Sequence, residues 1–344
     1  MNPEKKTTWL TGLSPAELKE VALSVGLKPF AARQMAEWIY RKRATDIGAM
    51  TNLSLAARER LREEGWTVGR IEPCDVQVSS DGTKKYLFPT LGGGAIEAVY
   101  IPDGDRATLC VSSQAGCKMG CRFCMTGRQG FQHHLTAGEI LNQVLAVPES
   151  ERLTNIVFMG MGEPMDNLEA VLRATEVLTA EWGLGWSPTR ITVSTVGVIP
   201  PMERLLRETK VHLAVSLHDP FDEERRELMP VQGRYPVREV VEALRRFDFA
   251  HQRRLSFEYI VFEGVNDSPR HVEGLARLLK GLNCRINLIR FHAIPDSPLR
   301  GVSPERMRWM NGALNAAGIT TTTRSSRGED ILAACGLLST VAQR

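Results

Sequence analysis

From residue 107 onward, short apolar runs alternate with longer amphipathic stretches. The apolar runs are "TLCVSS", "NIVFMG", "RITVST", "VHLAVSL", "FEYIVF", "RINLIRF" and "ITTTTRSS". Between most of them the apolar positions recur with helical spacing, in "AGEILNQVLAV", "NLEAVLRATEVL", "PVREVVEALRRF", "RHVEGLARLLKGL" and "PERMRWMNGALNAAG". Continuous apolar strands separated by helices predict βαβ units and a parallel sheet. Six or more such units predict a full or partial (β/α) barrel, with its site at the C-terminal ends of the strands.

The pattern differs upstream. Residues 12–65 read as short helices. "SPAELKEVALSVG" has a Ser N-cap, Pro at the first helical position and Glu three residues past the cap. "PFAARQMAEWIYRK" places Phe30, Met35, Trp38 and Ile39 on one predicted helical face, and "SLAARERLREEG" predicts a third helix ending at Gly65. Between 67 and 100, "DVQVSSDGTKKYLF" carries Asp81-Gly82, a type I′ hairpin signal. Gly92-Gly93-Gly94 predicts a second turn before the strand "AIEAVYIP". The chain therefore divides into a basic helical module (1–66), a β extension (67–104), a barrel core (105–326) and a C-terminal tail (327–344).

Composition changes this picture little. The chain has 344 residues, of which 43% are hydrophobic and 24% charged, as in an ordinary globular protein. It opens without an apolar leader and holds no apolar run of about 18 residues, so it is expected in the cytoplasm, without a membrane partner. A net charge of +3 does not by itself mark a nucleic-acid binder. Residues 1–70 nevertheless carry twelve Lys/Arg against eight Asp/Glu, including the run Arg41-Lys42-Arg43. Such a run is usually a solvated helix end, and an RNA-facing role is the alternative.

The unusual chemistry collects just after the predicted strands. These loops hold Gln114 to Cys124, Met161-Gly162-Glu163-Pro164, Val196-Gly197, His218, Glu263-Gly264, His292 and Ser326-Arg327. Three of the seven cysteines, Cys117, Cys121 and Cys124, stand in a C-x₃-C-x₂-C loop. A closed structural zinc site wants four ligands, and a three-cysteine catalytic zinc usually enlists a histidine. His133 and His134 are near, but read as polar residues of a surface turn. The other metal reading is a [4Fe–4S] cluster held by three thiolates, with one iron left open. Gly116 and Gly120 would let the loop fold closely around it.

This loop, after the first barrel strand, resembles that of the radical S-adenosylmethionine (SAM) superfamily. The resemblance implies a partial (β/α) TIM-like barrel of the radical SAM type, with the small helical domain and β extension as additions. It also implies a [4Fe–4S] cluster on Cys117, Cys121 and Cys124, whose open iron chelates SAM and drives its cleavage to a 5′-deoxyadenosyl radical. "MGMGEP" (159–164) looks like the family's motif for the SAM amino group, with Gly162 allowing close backbone approach and Glu163 supplying a carboxylate. Ser194, Ser216, His218 and His292 fall where SAM contacts are expected. His292 stands where many members carry asparagine, which leaves that contact open.

The longer stretches "YIPDGDRATLCVSSQAGCKMGCRFCMTGRQGF" and "SRGEDILAACG" resemble the RNA adenine methyltransferases of that superfamily. That branch implies methylation of adenine C2 in 23S rRNA, in its peptidyl-transferase region, and in the tRNA anticodon loop. A close branch attacks C8 and confers antibiotic resistance. Chemically, adenine C2 is electron-poor, so polar transfer from an electrophilic sulfonium methyl fails and a radical route is needed. The resemblance implies that Cys335 accepts a methyl from one SAM, that hydrogen is then removed from this methyl, and that the resulting carbon adds to the base. Cys110 would release the adduct through a transient disulfide with Cys335, and Glu97 would be the general base. Read without the resemblance, Cys335 and Cys110 are small buried hydrophobes and Glu97 an ordinary strand carboxylate. Cys74 and Cys284 read as structural. The implied partners are 23S rRNA, tRNA and an electron donor such as flavodoxin or ferredoxin, acting on a monomer. A zinc-bearing, non-catalytic RNA-binding protein is the reading from a different class.

Overall fold

The structure, a computed structural model, describes residues 8–251 and 253–340. The N-terminal helices form where the capping signals lie. In α1 (Pro15–Ser24) the Ser14 hydroxyl accepts from the Glu17 amide, while the Glu17 carboxylate accepts from the Ser14 amide at 2.7 Å. A second helix, α2 (Ala31–Ala36), runs into a wider π turn over Glu37–Arg41, and α3 (Leu55–Glu63) is capped by Ser54. Met35 and Ile39 are buried as predicted, but Phe30 is 63% exposed because it caps α2 instead of sharing its inner face. The basic run joins this module to the barrel: Arg41 donates to the Glu181 carbonyl and Arg43 to the Ser150 hydroxyl. Lys42 lies over the Trp38 ring and 3.5 Å from Glu37.

Three antiparallel strands follow, β1 (Asp75–Val78), β2 (Lys84–Pro89) and β3 (Ala95–Asp103). Asp81-Gly82 sits in a five-residue connection, not in the two-residue turn its dipeptide predicts. The Asp81 carboxylate accepts from the Thr83 amide and, on its other oxygen, from Gly328 of the C-terminal tail. That long-range contact selects the wider loop.

The sheet continues from β3 into β4 (Arg106–Cys110), which then pairs in parallel with the barrel strands. A small hairpin, β5 (Gln114–Gly116) with β6 (Phe131–His134), encloses the cysteine loop and the short helix α4 (Met125–Gln129). His133 and His134 are thus in a strand rather than a turn. Next come α5 (Ala137–Ala146), β7 (Asn155–Phe158), α6 (Leu168–Thr179), β8 (Ile191–Thr195), α7 (Ile199–Glu208), β9 (His212–Ser216), α8 (Asp222–Leu228) and α9 (Val237–Leu244). The chain closes with β10 (Leu255–Val261), α10 (Pro269–Leu279), β11 (Arg285–Arg290), α11 (Pro304–Ala316) and β12 (Thr320–Thr323). Helix α7, unforeseen in the periodicity, starts on Pro200-Pro201, where missing amide hydrogens cost nothing in a first turn.

The sheet order is β12-β11-β10-β9-β8-β7-β4-β3-β2-β1, parallel from β12 to β4. This is the expected partial barrel. Its strands are less uniformly apolar than the runs imply. Ile191, Val193, Leu213, Phe257, Ile286 and Leu288 are buried against the helices, while Thr108, Asn155, Thr192, Ser194 and Asn287 alternate with such positions and stay half-buried on the inner face. The lumen is therefore polar. Residues of β3 and β4 face residues of β11 and β12 across one cavity of about 380 Å³, which contains Cys335. No helix among the described residues is long and apolar enough to cross a membrane.

Candidate active site

The cysteine loop grows out of a close backbone crossing. A Cβ on Gly116 would lie 1.8 Å from the Gly130 carbonyl oxygen, so only glycine lets β5 and β6 meet there. Gly120, at φ +64°, takes the left-handed turn between the first two cysteines. Cys121 and Cys124 pack in an apolar cluster with Phe123, Leu228, Met229, Ile260, Phe262 and Leu337. Burial pushes the Cys117 thiol up to about 12 and raises those of Cys121 and Cys124, and each thiol feels its neighbours. Three buried neighbouring thiols need a strongly cationic group to exist as thiolates.

Three thiols from one short loop are the donor set of a [4Fe–4S] cluster with one iron left open. Elsewhere, ligand atoms of Asp219, Glu224 and His271 converge within 4.8 Å of one another.

Beside the loop, Glu163 is fully buried. Its carboxylate accepts from the amides of Met165 at 3.0 Å and Val196 at 2.9 Å, and burial pushes its carboxyl up to about 7. Among the described residues no cation pairs with it, so it is poised for a cationic ligand. Gly162, at φ +101°, has a structural reason of its own: a Cβ there would lie 2.6 Å from that of Gln114. The Gln114 side-chain oxygen in turn accepts from the Glu163 amide at 2.8 Å.

Ser194 and Ser216 are half-buried at the ends of β8 and β9, facing the lumen. His218 serves the scaffold through one ring nitrogen. Its Nδ1 accepts from the Ile260 amide at 3.0 Å, its ring meets Phe123 edge-on at 4.7 Å, and burial drives its pKa down to about 3. His292 lies in the Cys335 cavity, with Nε2 2.9 Å from the Ser326 hydroxyl.

Cys110 and Cys335 come together from distant parts of the chain. Burial, and then the neighbouring Cys335, push the Cys110 thiol up to about 12, whereas Arg324 pulls it down. Arg324 lies between these thiols, Glu258 (3.7 Å) and the Met159 sulfur (3.3 Å). Cys335 is held over the cysteine loop by its neighbours. The Gly336 carbonyl accepts from the Met125 amide at 2.8 Å, and the Leu338 carbonyl from the Thr126 hydroxyl at 2.7 Å. Glu97 meets the same tail. Its carboxylate accepts from the Ser339 amide at 2.9 Å and pairs with Lys85 at 3.1 Å, while burial raises its pKa.

Three residues absent from the sequence reading shape the site. Arg324 followed an unremarkable Thr run, and Lys85 a hairpin signal. Arg225, in "DEERREL", looks like a solvated charge but is fully buried, donating to the carbonyls of Leu217, Val196 and Ser216 and to Gln232. Its place three residues before the buried Leu228 is the one local sign of that inward face.

An open parallel barrel with three cysteines in the loop after its first strand defines a radical SAM enzyme. The Radical SAM superfamily model matches residues 111–279, and the ribosomal RNA large subunit methyltransferase N-terminal domain matches residues 8–65. The chain is 56% identical to the probable dual-specificity RNA methyltransferase RlmN of Porphyromonas gingivalis, covering 98% of this chain and 95% of that one. It is 44% identical to the dual-specificity RNA methyltransferase RlmN of Syntrophus aciditrophicus, over 95% of each. A radical SAM methyltransferase from Sphaerobacter thermophilus has the same fold, with a TM-score of 0.90 at 44% identity over 97% of this chain and 99% of that one. The chain belongs to the family of dual-specificity radical SAM RNA methyltransferases. Membership implies a [4Fe–4S] cluster and SAM, and the cysteine pocket and the buried Glu163 fit them.

Proposed function

We propose that this protein methylates C2 of an adenine in 23S rRNA and in tRNA, with Cys335 carrying the incoming carbon. The observation that carries the reading is the meeting of Cys335, Cys110 and Arg324 in one lumen, directly beside the three-cysteine loop. Bound at Cys117, Cys121 and Cys124, the cluster supplies with SAM the radical chemistry an electron-poor carbon needs. Glu163 receives the SAM ammonium, with Ser194 and Ser216 placed for its polar groups. Glu97 takes the proton lost from the base. Cys110 attacks Cys335 sulfur to free the product, leaving a disulfide that an external reductant reopens.

The division at 66, 104 and 326 goes with this reading: an RNA-facing module, a β extension, a catalytic barrel and a thiol-bearing tail. Arg41 and Arg43 also bond to the barrel, and the exposed Arg41 and Lys42, with Lys19, Lys28 and Arg33, are cations the module offers RNA. The enzyme acts as a cytoplasmic monomer with a flavodoxin- or ferredoxin-type donor. Mass spectrometry of rRNA and tRNA from cells with and without the gene tests the function. A methyl at C2 that disappears with the gene supports it; a methyl at C8, or none, overturns it.

Glu163 makes SAM binding depend on pH. A carboxyl displaced upward to about 7 must lose its proton to meet an ammonium. SAM affinity is expected to fall about tenfold per pH unit below 7 and to level off above it. The same displacement makes Glu163 stabilise the SAM-free fold below the ordinary carboxyl range and lose that contribution as pH rises through 7. Calorimetric titration of Glu163→Gln should show weaker, pH-flat binding; an unchanged pH profile would remove Glu163 from the ammonium site.

A further inference from the structure

A second set of cations lies at the opposite end of the barrel from Glu163. Arg253, Arg254 and Arg285, with His212 and His251, line a cavity of about 400 Å³ at the N-terminal ends of the strands. No acidic residue lines it. Among the described residues, no carboxylate oxygen lies within 4.0 Å of the guanidinium of Arg106, Arg253, Arg254 or Arg285. Elsewhere in this chain many arginines meet carboxylates, as Arg204 meets Glu169 and Glu208, and Arg270 meets Glu224. Here the cations meet one another. Arg285 and Arg106 hold Arg254 below the usual arginine range after burial, and the three nearby arginines help burial drive His212 down to about 4. Like charges gathered without counter-charges cost free energy unless an anion completes them.

Arg106 connects this floor to the chemistry. It is within electrostatic reach of Arg254 and also lines the Cys335 cavity, together with Thr108, Arg324 and Arg327. It opens β4, whose last residue is Cys110. Four residue steps at about 3.3 Å put the floor about 13 Å below the reacting thiols, a span of a few nucleotides. Asp103, the last residue of β3, stands opposite Arg106 in the hairpin and meets Arg327 at 3.1 Å, and Asp105 precedes Arg106 in the turn. The cations thus run from the floor, at the starts of β10 and β11, to the seam where β4 faces β12, the edge strand of the parallel sheet.

We propose that this seam is a backbone-phosphate track: single-stranded RNA next to the target adenine runs down it, with phosphates on Arg106, Arg254 and Arg285. The proposal rests on the reading of the chain as an RNA methyltransferase and assigns the surface that holds the nucleotides flanking the target. Phosphate contacts of this kind set register and affinity without reading sequence, which suits one enzyme acting on two unrelated RNAs.

The test measures binding of a fluorescein-labelled transcript carrying the target adenine and its single-stranded flanks to the cluster-loaded enzyme across a salt series. Arg254→Gln/Arg285→Gln is expected to raise Kd about tenfold at low salt. It should also lower the slope of log K against log salt by about 1.4, from about 0.7 per single-strand phosphate. Arg254→Lys/Arg285→Lys keeps the charges and should keep the slope, and its visible cluster absorbance and melting temperature report on folding. The single Gln variants, each lowering the slope by about half as much, serve if the double Gln variant does not fold. A transcript trimmed of its flanks should bind wild type and the Gln variant equally. Equal Kd and slope for wild type and the Gln variants on the full transcript overturns the track. Stoichiometric retention of inorganic phosphate at the floor with an unchanged RNA slope also overturns it, in favour of a free-anion site. Methylation of the same transcript by wild type is scored separately, so absence of a C2 methyl strikes the proposed function while affinity still judges the track.

Discussion

Cys335→Ala is expected to abolish RNA methylation, by at least about 10³-fold, with iron content and SAM binding unchanged. No other thiol can stand in for it. Cys74 is exposed on the β extension, Cys284 lines the floor cavity, and the three loop cysteines are the ones proposed to hold the cluster. Cys110 is close but sits within β4, where no tail carries it toward a substrate. Cys335, by contrast, lies on a tail segment whose neighbours hydrogen-bond to Met125, Thr126, Gln129 and Glu97. Cys110→Ala separates the two thiols. Carbon transfer from Cys335 to the base still proceeds, but no thiol attacks the Cys335 sulfur to free the product. Protein covalently bound to RNA should then accumulate as a slowly migrating band in denaturing gels. Methylation by Cys335→Ala above about one percent of wild type, or no RNA-bound Cys110→Ala protein, would make the relay assignment wrong.

Features set by neighbouring residues were legible in the chain. The Ser14–Glu17 capping box, all seven parallel strands and the cysteine loop follow from spacing over a few positions, where periodicity and local hydrogen bonding act. What escaped is set across the sheet or across the chain. Lys85 meets Glu97 because β2 pairs with β3 in a register that no local pattern states. Cys110 and Cys335 lie more than two hundred residues apart, and only the resemblance joined them. The motif positions themselves were legible more clearly than their tasks. His218 follows a strand as a ligand would, yet its ring nitrogen is taken by the Ile260 amide. Gly162 was expected to make room for SAM, and the room it makes is first of all for Gln114. Charge alone said little about place: Arg225 is buried among carbonyls, and Arg41 and Arg43 of the basic run also bond to the barrel.

Lys85→Met is expected to destabilise the protein by about 3–5 kcal/mol at neutral pH, the cost of breaking a buried ion pair from one side. Both partners lie inside, with 7% of the Lys85 side chain and none of the Glu97 side chain exposed. Without the ammonium, Glu97 keeps the Ser339 amide as a donor but loses the charge that opposes its burial. Its pKa, already raised, then rises further. A carboxyl with a raised folded-state pKa favours the fold while protonated and loses that contribution as pH climbs through the folded value. The penalty in Lys85→Met should therefore be small near pH 5 and fully developed near pH 8. Lys85→Met/Glu97→Gln removes the stranded charge and should recover most of the stability, because the amide can still accept from Ser339. Thermal melts of the three variants across this pH range decide the matter. A loss in Lys85→Met that is independent of pH, or that Glu97→Gln does not relieve, would mean that Lys85 contributes packing alone. Activity separates the roles further. A base held protonated at neutral pH cannot accept the adenine proton, so methylation by folded Lys85→Met should require a higher pH than wild type, whereas the double variant should stay inactive at every pH.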